Sequence, residues 1–269
     1  MLLKRLATSV ILLPLVWASA WLPQTPVPWF TVFVAIWAVG ALYEFYHIAH
    51  ATGKSHPFIY PGLALALLLI IQPHLTLSGS GPLILALAAV VPMIWGMLQR
   101  DKSTAFTSWS WTLAGVIYLG WLPGLYVALR GFEFGREWVI FALFITFISD
   151  SAAYFVGRAL GRHYLAPTIS PKKTWEGAVG GVVGAALASL ALEWWLGLPI
   201  SYLGLAFLAV AVSIFGQIGD LAESLFKRNT GAKDSSQVLP GHGGLLDRID
   251  SVVFAGLIVY FYVIFSQGG

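Results

Sequence analysis

The chain contains no cysteine among its 269 residues. This absence excludes disulfide bonds, thiolate nucleophiles and every metal or iron–sulfur site that depends on cysteine ligands. Charged residues are scarce as well, because Asp, Glu, Lys and Arg make up only 10% of the chain, against roughly 25% in soluble domains. A chain with so little charge is not expected to fold as an ordinary water-soluble domain.

Apolar residues take the place of the missing charge. They make up 58% of the chain, and its mean hydropathy is +0.80. A membrane-spanning helix needs about 20 apolar residues to cross a hydrocarbon core of about 30 Å. Apolar runs lie near residues 6–22, 28–46, 58–73, 82–98, 110–129, 138–157, 176–196, 202–223 and 251–266. We therefore predict an all-α integral membrane protein, a polytopic bundle of about nine transmembrane helices.

No polar linker or low-complexity segment divides the chain, so we expect a single polytopic membrane domain over residues 1–269. Its N-terminal helices take up about residues 1–130. The two longest polar segments, about 158–175 and 224–250, both come later. The catalytic part is therefore expected over about residues 138–269.

The basic residues predict the orientation of the chain. Cytoplasmic loops of membrane proteins are enriched in Lys and Arg. A cytoplasmic N-terminus places thirteen of the fifteen basic residues on that side and leaves only Arg130 and Arg136 on the other. Lys4 and Arg5 also resemble the start of a signal peptide, but bulky residues around Trp21 make a poor cleavage site. We expect a retained first helix, with cleavage as the alternative.

The net charge of +3 and the sequence pI near 9.1 do not indicate a nucleic-acid partner. The basic residues are dispersed over short loops beside the apolar runs, where membrane orientation and anionic lipid account for them. We expect membrane lipid as a partner and no nucleic acid.

Acidic residues recur at helical spacing on both sides of the 224–250 segment. Asp220 and Glu223 lie three residues apart at the end of the eighth run, and Asp247 and Asp250 repeat that spacing before the ninth. Such acids can simply mark a polar helix end or complement a helix dipole. Because charge beside a bilayer is costly unless compensated, we interpret them as functional. Asp220 and Asp247 can approach if the loop folds back, and two carboxylates without cysteine suit a hard cation such as Mg²⁺.

The same loop combines positive charge with glycine. Its basic residues are Lys227, Arg228, Lys233 and Arg248. Gly243 and Gly244 permit backbone conformations in which N–H groups surround an anion. A basic patch alone is also typical of a headgroup anchor, and a Gly-Gly pair of a plain turn. Together with the acids, they indicate a polyphosphate ligand.

The order of this loop resembles the signature of the phosphatidate cytidylyltransferases, the CDP-diacylglycerol synthases. The matching residues are Ser224, Phe226, Lys227, Arg228, Lys233, Asp234, Ser236, Leu239, Pro240, His242, Gly243, Gly244, Asp247, Arg248 and Asp250. Ser236 stands where many members carry Gly, which is one small residue for another.

Two further segments are similar to the same family. Residues 170–177 read SPKKTWEG, in which Lys172 and Lys173 are available to phosphates just before a helix N-terminus. Simple anchoring beside the membrane is the alternative for these lysines. Asp150 begins a D-x-x-A-Y-x-x-G context within the sixth run, where its role, nucleotide or metal contact, stays open. Glu44, in the second run, has no role that the sequence assigns.

The resemblance implies that CTP and phosphatidate react to give CDP-diacylglycerol and pyrophosphate. We expect Asp220 and Asp247 to hold Mg²⁺, with Glu223 and Asp250 in support and a second cation left open. The catalytic set is Asp220, Asp247, Lys227, Lys233 and Arg248. The residues expected to bind CTP are Ser170, Lys172, Lys173, Thr174, Arg228, Asp234, His242, Gly243, Gly244 and Asp150.

The resemblance also implies a homodimer in a bacterial-type cytoplasmic (inner) membrane, with the active site on the cytoplasmic side. Two other functions fit parts of the pattern. A CTP-dependent polyprenol or lipid kinase would move the γ-phosphate and release CDP. A cation-coupled transporter would use Asp150, Asp220 and Asp247 as intramembrane carboxylates.

Overall fold

The computed structural model describes residues 14–75, 79–238 and 243–267. The expectations about Lys4, Arg5 and His242 therefore lie outside the described residues. Within these ranges every predicted apolar run is helical. The helices are α1 (residues 14–21), α2 (Trp29–Ala51), α3 (Ile59–Ile71), α4 (Ser80–Leu98), α5 (Ala105–Val116), α6 (Leu122–Arg130), α7 (Gly135–Leu160), α8 (Trp175–Leu196), α9 (Tyr202–Thr230) and α10 (Asp250–Gln267).

The helix number agrees with the prediction once α5 and α6 are taken as one span. A π-helix, Ile117–Trp121, joins them, so that Ala105–Arg130 is one continuous apolar helix. Counted in this way, the described ranges contain the nine predicted helices. Helices dominate because hydrocarbon offers the backbone no hydrogen-bond partner, and a helix satisfies its own N–H and C=O groups.

Six of the described helices are long and apolar enough to cross a membrane. They are Trp29–Ala51, Ser80–Leu98, Ala105–Arg130, Gly135–Leu160, Trp175–Leu196 and Tyr202–Thr230. Two shorter apolar helices, Ile59–His74 and Asp250–Ser266, fall below that length. The chain is therefore a multi-pass helical membrane protein, as its composition predicted.

The chain separates into two compact units. The first contains the chain up to Ala128 together with Asn229–Arg248, and the second contains Leu129–Arg228 together with α10. The 224–250 segment is thus divided between them, with its middle in the first unit and its two ends in the second. A single domain over residues 1–269 stays a prediction.

In the first unit, small residues let α2, α3 and the α5–α6 span approach closely. A Cβ at Gly120 would lie only 2.7 Å from the Cα of Ala66. The Tyr46 hydroxyl donates a hydrogen bond of 2.8 Å to the Thr112 carbonyl, which gives a buried polar group its partner. These contacts set α2, which carries Glu44, firmly among its neighbours.

In the second unit, α7 and α8 pack against each other through glycine. A Cβ at Gly177 would lie 2.8 Å from the Ala153 carbonyl oxygen and 3.1 Å from the Cα of Gly157. Glycine at these positions brings the two backbones together, as small residues do in membrane helix pairs. Asp150 on α7 and the start of α8 are held on the same helix pair.

The link between α7 and α8 contains the described sheet, an element that the sequence did not predict. Strand β1 (Tyr164–Ala166) pairs antiparallel with β2 (Ser170–Thr174), with Tyr164 opposite Thr174 and Ala166 opposite Ser170. The chain is extended here because Pro171 disfavours the helical conformation of the residue before it. Strand pairing then provides partners for the backbone groups of this polar segment. The predicted SPKKTWEG block is therefore a strand followed by a helix start.

Candidate active site

The end of α9 carries the predicted acid and base residues on one continuous helix. The helix extends to Thr230 and contains Asp220, Glu223 and Lys227. Glu223 is buried, with 1% of its side chain exposed, and its Oε2 lies 2.5 Å from Nζ of Lys227 one turn away. The Ser224 hydroxyl donates to Oδ1 of Asp220 at 3.4 Å. The buried Glu223 carboxylate therefore has a cation beside it, as a buried charge requires.

An ion pair joins β2 to α9. Nζ of Lys173 lies 2.8 Å from Oδ2 of Asp220, with 23% and 35% of the two side chains exposed. Lys173 also approaches the Gln217 carbonyl oxygen at 3.5 Å. Two motifs separated by 47 residues in the sequence thus share one polar contact in the second unit.

Three carboxylates of the second unit form an acidic cluster, which we define as Asp150, Asp220 and Asp250. They come from α7, α9 and α10, and they lie close enough for their charges to interact. Lys173 acts on Asp150, and Lys227 acts on Asp250, through favourable charge interactions. The charges of Lys173 and Lys227 therefore partly compensate the negative charge of the acidic cluster.

The described residues contain no ready-made group of three or more His, Asp or Glu side chains that could hold a metal ion. Carboxylate oxygens are the donors that a hard cation prefers, so the chemistry of these side chains fits Mg²⁺, although their spacing in the described residues does not by itself form a metal site. Mg²⁺ commonly binds through one or two carboxylates, water and substrate phosphates. A site that the substrate completes is consistent with both observations.

The hairpin β1–β2 gathers basic side chains near the start of α8. Lys172 is exposed on β2, next to Lys173. From the end of α9, Nε of Arg228 donates to the Ile169 carbonyl at 3.3 Å, in the turn of the hairpin. Three predicted phosphate-binding cations therefore occur on or beside one hairpin.

Ser170 and Thr174 lie at the two ends of β2. Thr174 is the N-cap of α8, because its Oγ1 accepts a hydrogen bond of 3.2 Å from the Gly177 N–H. Capping of this kind stabilises the start of a helix, so Thr174 has a structural role. The hairpin thereby leads directly into the positive end of the α8 dipole.

In the first unit, Asp247 organises the glycine turn. Its Oδ2 accepts hydrogen bonds from the Gly244 N–H at 2.8 Å and from the Ser235 hydroxyl at 3.0 Å. Gly243 has a φ of +79°, a backbone conformation that favours glycine. Asp247 lies in a short 3₁₀ helix, Leu246–Arg248, just before α10.

Among the other first-unit residues predicted for the site, three that the structure describes are exposed to solvent. Lys233, Asp234 and Arg248 are exposed. Asp247 belongs to the first unit and Asp220 to the second. Their shared cation therefore stays a prediction from the sequence. The structure joins Lys173 to Asp220 in the second unit and Asp247 to Ser235 and Gly244 in the first.

Glu44 is the residue of this region that the sequence left without a role. It lies on α2 and is 5% exposed. Its two carboxylate oxygens accept hydrogen bonds from Ser235, Ser236, Leu245 and Leu246, which belong to the signature loop, our name for the described residues between 229 and 248. A signal was present, since a lone acid in an apolar run is by default a functional candidate. What the sequence did not contain was the identity of its partners, which lie about 190 to 200 residues further along the chain.

Comparison with known proteins agrees with the motifs. The family model described as the cytidylyltransferase family matches residues 3–266. The phosphatidate cytidylyltransferase of Brucella suis biovar 1 is 36% identical over 267 residues, which cover 98% of this chain and 94% of the relative. That of Bacillus subtilis is 34% identical over 233 residues, covering 85% and 87%. That of Staphylococcus epidermidis is 37% identical over 200 residues, covering 72% and 75%. The resemblance inferred from the sequence is confirmed, and neither a kinase nor a transporter is favoured.

Proposed function

The chain belongs to the cytidylyltransferase family, and we propose that it transfers the cytidylyl group of CTP to phosphatidate, forming CDP-diacylglycerol and pyrophosphate. It is an enzyme, a nucleotidyltransferase of phospholipid biosynthesis. The observation that carries the proposed site is the ion pair between Lys173 and Asp220. It joins a phosphate-binding motif to an acid-bearing helix.

The reaction needs little proton transfer. Phosphatidate is a phosphate monoester, and a second pKa near 6, as in phosphoserine, leaves it largely dianionic at neutral pH. One of its oxygens forms a bond to the α-phosphorus of CTP, and the bond from that phosphorus to the bridging oxygen breaks. The electron pair of that bond leaves with pyrophosphate. The protein must therefore align two anions and neutralise the leaving group.

The hairpin and the end of α9 supply the neutralising charge in our proposal. Lys172 and Lys173 on β2, with Arg228 beside the turn, bind the phosphates of CTP, and the α8 N-terminus adds its dipole. Ser170 and Thr174 contribute polar atoms at the ends of the same strand. Preorganised cations act strongly on charge that develops during reaction, because they need no reorganisation.

The first-unit turn supplies the second group of proposed contacts. Lys233 and Arg248 neutralise phosphate charge, and the N–H groups of Gly243 and Gly244 border an anion. Asp234 orders Lys233 or adds to the metal shell. His242 donates to phosphate or water. Lys227 on α9, which forms an ion pair with Glu223, is a further member of the proposed catalytic set.

Enzymes of this class use CTP with a divalent cation, and we propose Mg²⁺ for this chain. Asp220 and Asp247 would hold it, with Glu223 and Asp250 in support, and Asp150 contacts either the cation or the nucleotide. A bound Mg²⁺ would supply positive charge that neutralises the pyrophosphate leaving group. A second cation beside it is part of the same proposal.

The location and assembly state belong to the proposal too. The positive-inside distribution supports a cytoplasmic active site in the inner membrane of a bacterium, on the side where CTP is present. The family resemblance supports a homodimer. A cytoplasmic reporter that stays active when fused after Gly269 contradicts the proposed orientation, since nine spans carry that end across the membrane.

The deciding experiment uses purified full-length protein in detergent. CTP labelled in its cytidine is mixed with phosphatidate and Mg²⁺, and the lipid and aqueous products are separated. Transfer of label into lipid together with release of pyrophosphate supports the proposal. Release of CDP with an unlabelled phosphorylated lipid indicates a kinase, and the absence of labelled lipid refutes cytidylyl transfer.

A further inference from the structure

We propose that Glu44 of α2 is a positioning residue for the signature loop, which it holds in the arrangement that presents Asp247 through three hydrogen bonds and a fourth that it shares with Asp247. The inference rests on the proposed function, in which that loop takes part in catalysis. Each oxygen of the Glu44 carboxylate is within hydrogen-bond distance of one serine hydroxyl and one backbone N–H group. Oε1 accepts from the Ser236 hydroxyl at 2.6 Å and from the Leu245 N–H at 3.1 Å. Oε2 accepts from the Ser235 hydroxyl and from the Leu246 N–H, both at 3.0 Å.

Ser235 of the signature loop contacts Asp247 as well as Glu44. Oγ of Ser235 lies 3.0 Å from an oxygen of Glu44 and 3.0 Å from an oxygen of Asp247. A serine hydroxyl has one hydrogen, so it donates to one carboxylate at a time. The two carboxylates therefore share the single hydroxyl hydrogen of Ser235, and moving Glu44 changes the surroundings of Asp247.

Packing around the network leaves little room for another arrangement. A Cβ at Gly244 would collide with Oγ of Ser235 and Oε2 of Glu44. Leu246 is completely buried, and Nε1 of Trp37 on α2 donates to the Leu245 carbonyl at 3.2 Å. Side chains of helix α2 thus form hydrogen bonds with both the N–H groups and a carbonyl group of the loop backbone.

Only a carboxylate of this length satisfies the contacts. In a glutamine at position 44, the amide nitrogen replaces one of the two acceptors. Whichever way the amide is turned, its NH₂ group faces either the Leu245 N–H or the Leu246 N–H, which are both donors. Aspartate keeps two acceptors but is one methylene shorter. Glu44→Gln therefore removes the function of the side chain with almost no change in its volume.

The test compares Glu44→Gln with wild type and with Glu133→Gln, which neutralises an exposed glutamate of the second unit. The first measurement is hydrogen exchange of the 243–248 segment in detergent, which needs no catalytic activity. We expect exchange of the Leu245 and Leu246 amides to be at least about tenfold faster in Glu44→Gln. Glu133→Gln leaves it unchanged. Wild-type exchange in Glu44→Gln overturns the proposal.

The second measurement separates positioning from general stability. A misplacement of about 1 Å at a reacting centre costs up to about 100-fold in rate, so kcat of Glu44→Gln should fall about 10- to 100-fold with the KM for CTP nearly unchanged. The thermal midpoint should fall by no more than about 10 °C, because the lost contacts lie within one loop, and the variant should remain folded at the assay temperature. A loss of turnover that matches a loss of folded protein instead assigns Glu44 a structural role only and overturns the proposal.

A second variant covers the case in which Glu44→Gln does not fold. Ser236→Ala removes one of the four donors and leaves the carboxylate in place, so we expect a smaller increase in exchange and a smaller fall in kcat. Unchanged exchange and unchanged kcat in Ser236→Ala would then contradict the proposal. If the wild-type protein forms no CDP-diacylglycerol, the proposed function fails, while the exchange comparison still decides whether Glu44 orders the loop.

Discussion

Replacing Asp220 by asparagine removes one charge from the site while the side chain keeps its size. The structure limits the effect on stability. The 2.8 Å ion pair with Lys173 is partly exposed, at 23% and 35% for the two side chains. Pairs of this kind contribute up to about 1 kcal/mol, because water screens them. For a chain of this length, we expect the thermal midpoint to fall by no more than about 2–4 °C.

The expected effect on activity is several times larger. Removing one group that stabilises developing charge costs about 100- to 1000-fold in turnover, or about 2.7–4 kcal/mol. Asp220 also belongs to the acidic cluster, so its loss changes the surroundings of Asp150 and Asp250. We expect Asp220→Asn to be folded and nearly inactive.

The assay measures labelled CDP-diacylglycerol at saturating CTP and Mg²⁺, together with a thermal melt of the same preparation. Asp101→Asn is the matched control, because it removes the same charge from an exposed loop of the first unit. The control should keep both its activity and its midpoint. Asp220→Asn with more than about a third of wild-type turnover would refute the reasoning, since the lost term would then be below about 1 kcal/mol.

Three further predictions concern the hairpin, the α7–α8 contact and the cation. Lys172→Ala and Lys173→Ala should both raise the KM for CTP, but only Lys173→Ala should lower the thermal midpoint, because only Lys173 has an ion pair with Asp220. Gly177→Ala places a Cβ 2.8 Å from the Ala153 carbonyl and should destabilise by about 1–3 kcal/mol, whereas Gly216→Ala, with 3.6 Å as its nearest contact, should be neutral or stabilising in a melt. A chelator should stop formation of labelled lipid, and added Mg²⁺ should restore it; full turnover in excess chelator would contradict the cation proposal.

The membrane helices could be predicted almost completely from the sequence. The run predicted at 176–196 is α8, Trp175–Leu196, and the run at 202–223 begins at the same residue as α9. Such agreement is expected, because hydropathy over about 20 residues is a local property and the bilayer sets the length. The helix ends differed where polar residues continue a helix beyond its apolar run, as α9 does to Thr230.

The candidate site residues could also be identified from the sequence, and so could the family. Charge is expensive in an apolar chain, so Lys172, Lys173, Asp220 and Asp247 stand out in the sequence as exceptions to its composition. Their spacing indicated which residues share a helix turn. The strand pairing in SPKKTWEG was not predictable in the same way, because Tyr164–Ala166 is short and shows no strong alternation.

The partners of these residues were decided by the tertiary structure alone. The sequence by itself determined a multi-pass helical protein with its charge concentrated in a few motifs, because composition and periodicity act over one or two helix turns. It did not determine that Lys173 pairs with Asp220, or that Glu44 contacts four hydrogen-bond donors of a loop near the other end of the chain. Periodicity predicts which face a residue occupies, whereas its partner depends on how separate helices pack. That packing made Glu44, a lone acid in an apolar run, the anchor of the signature loop.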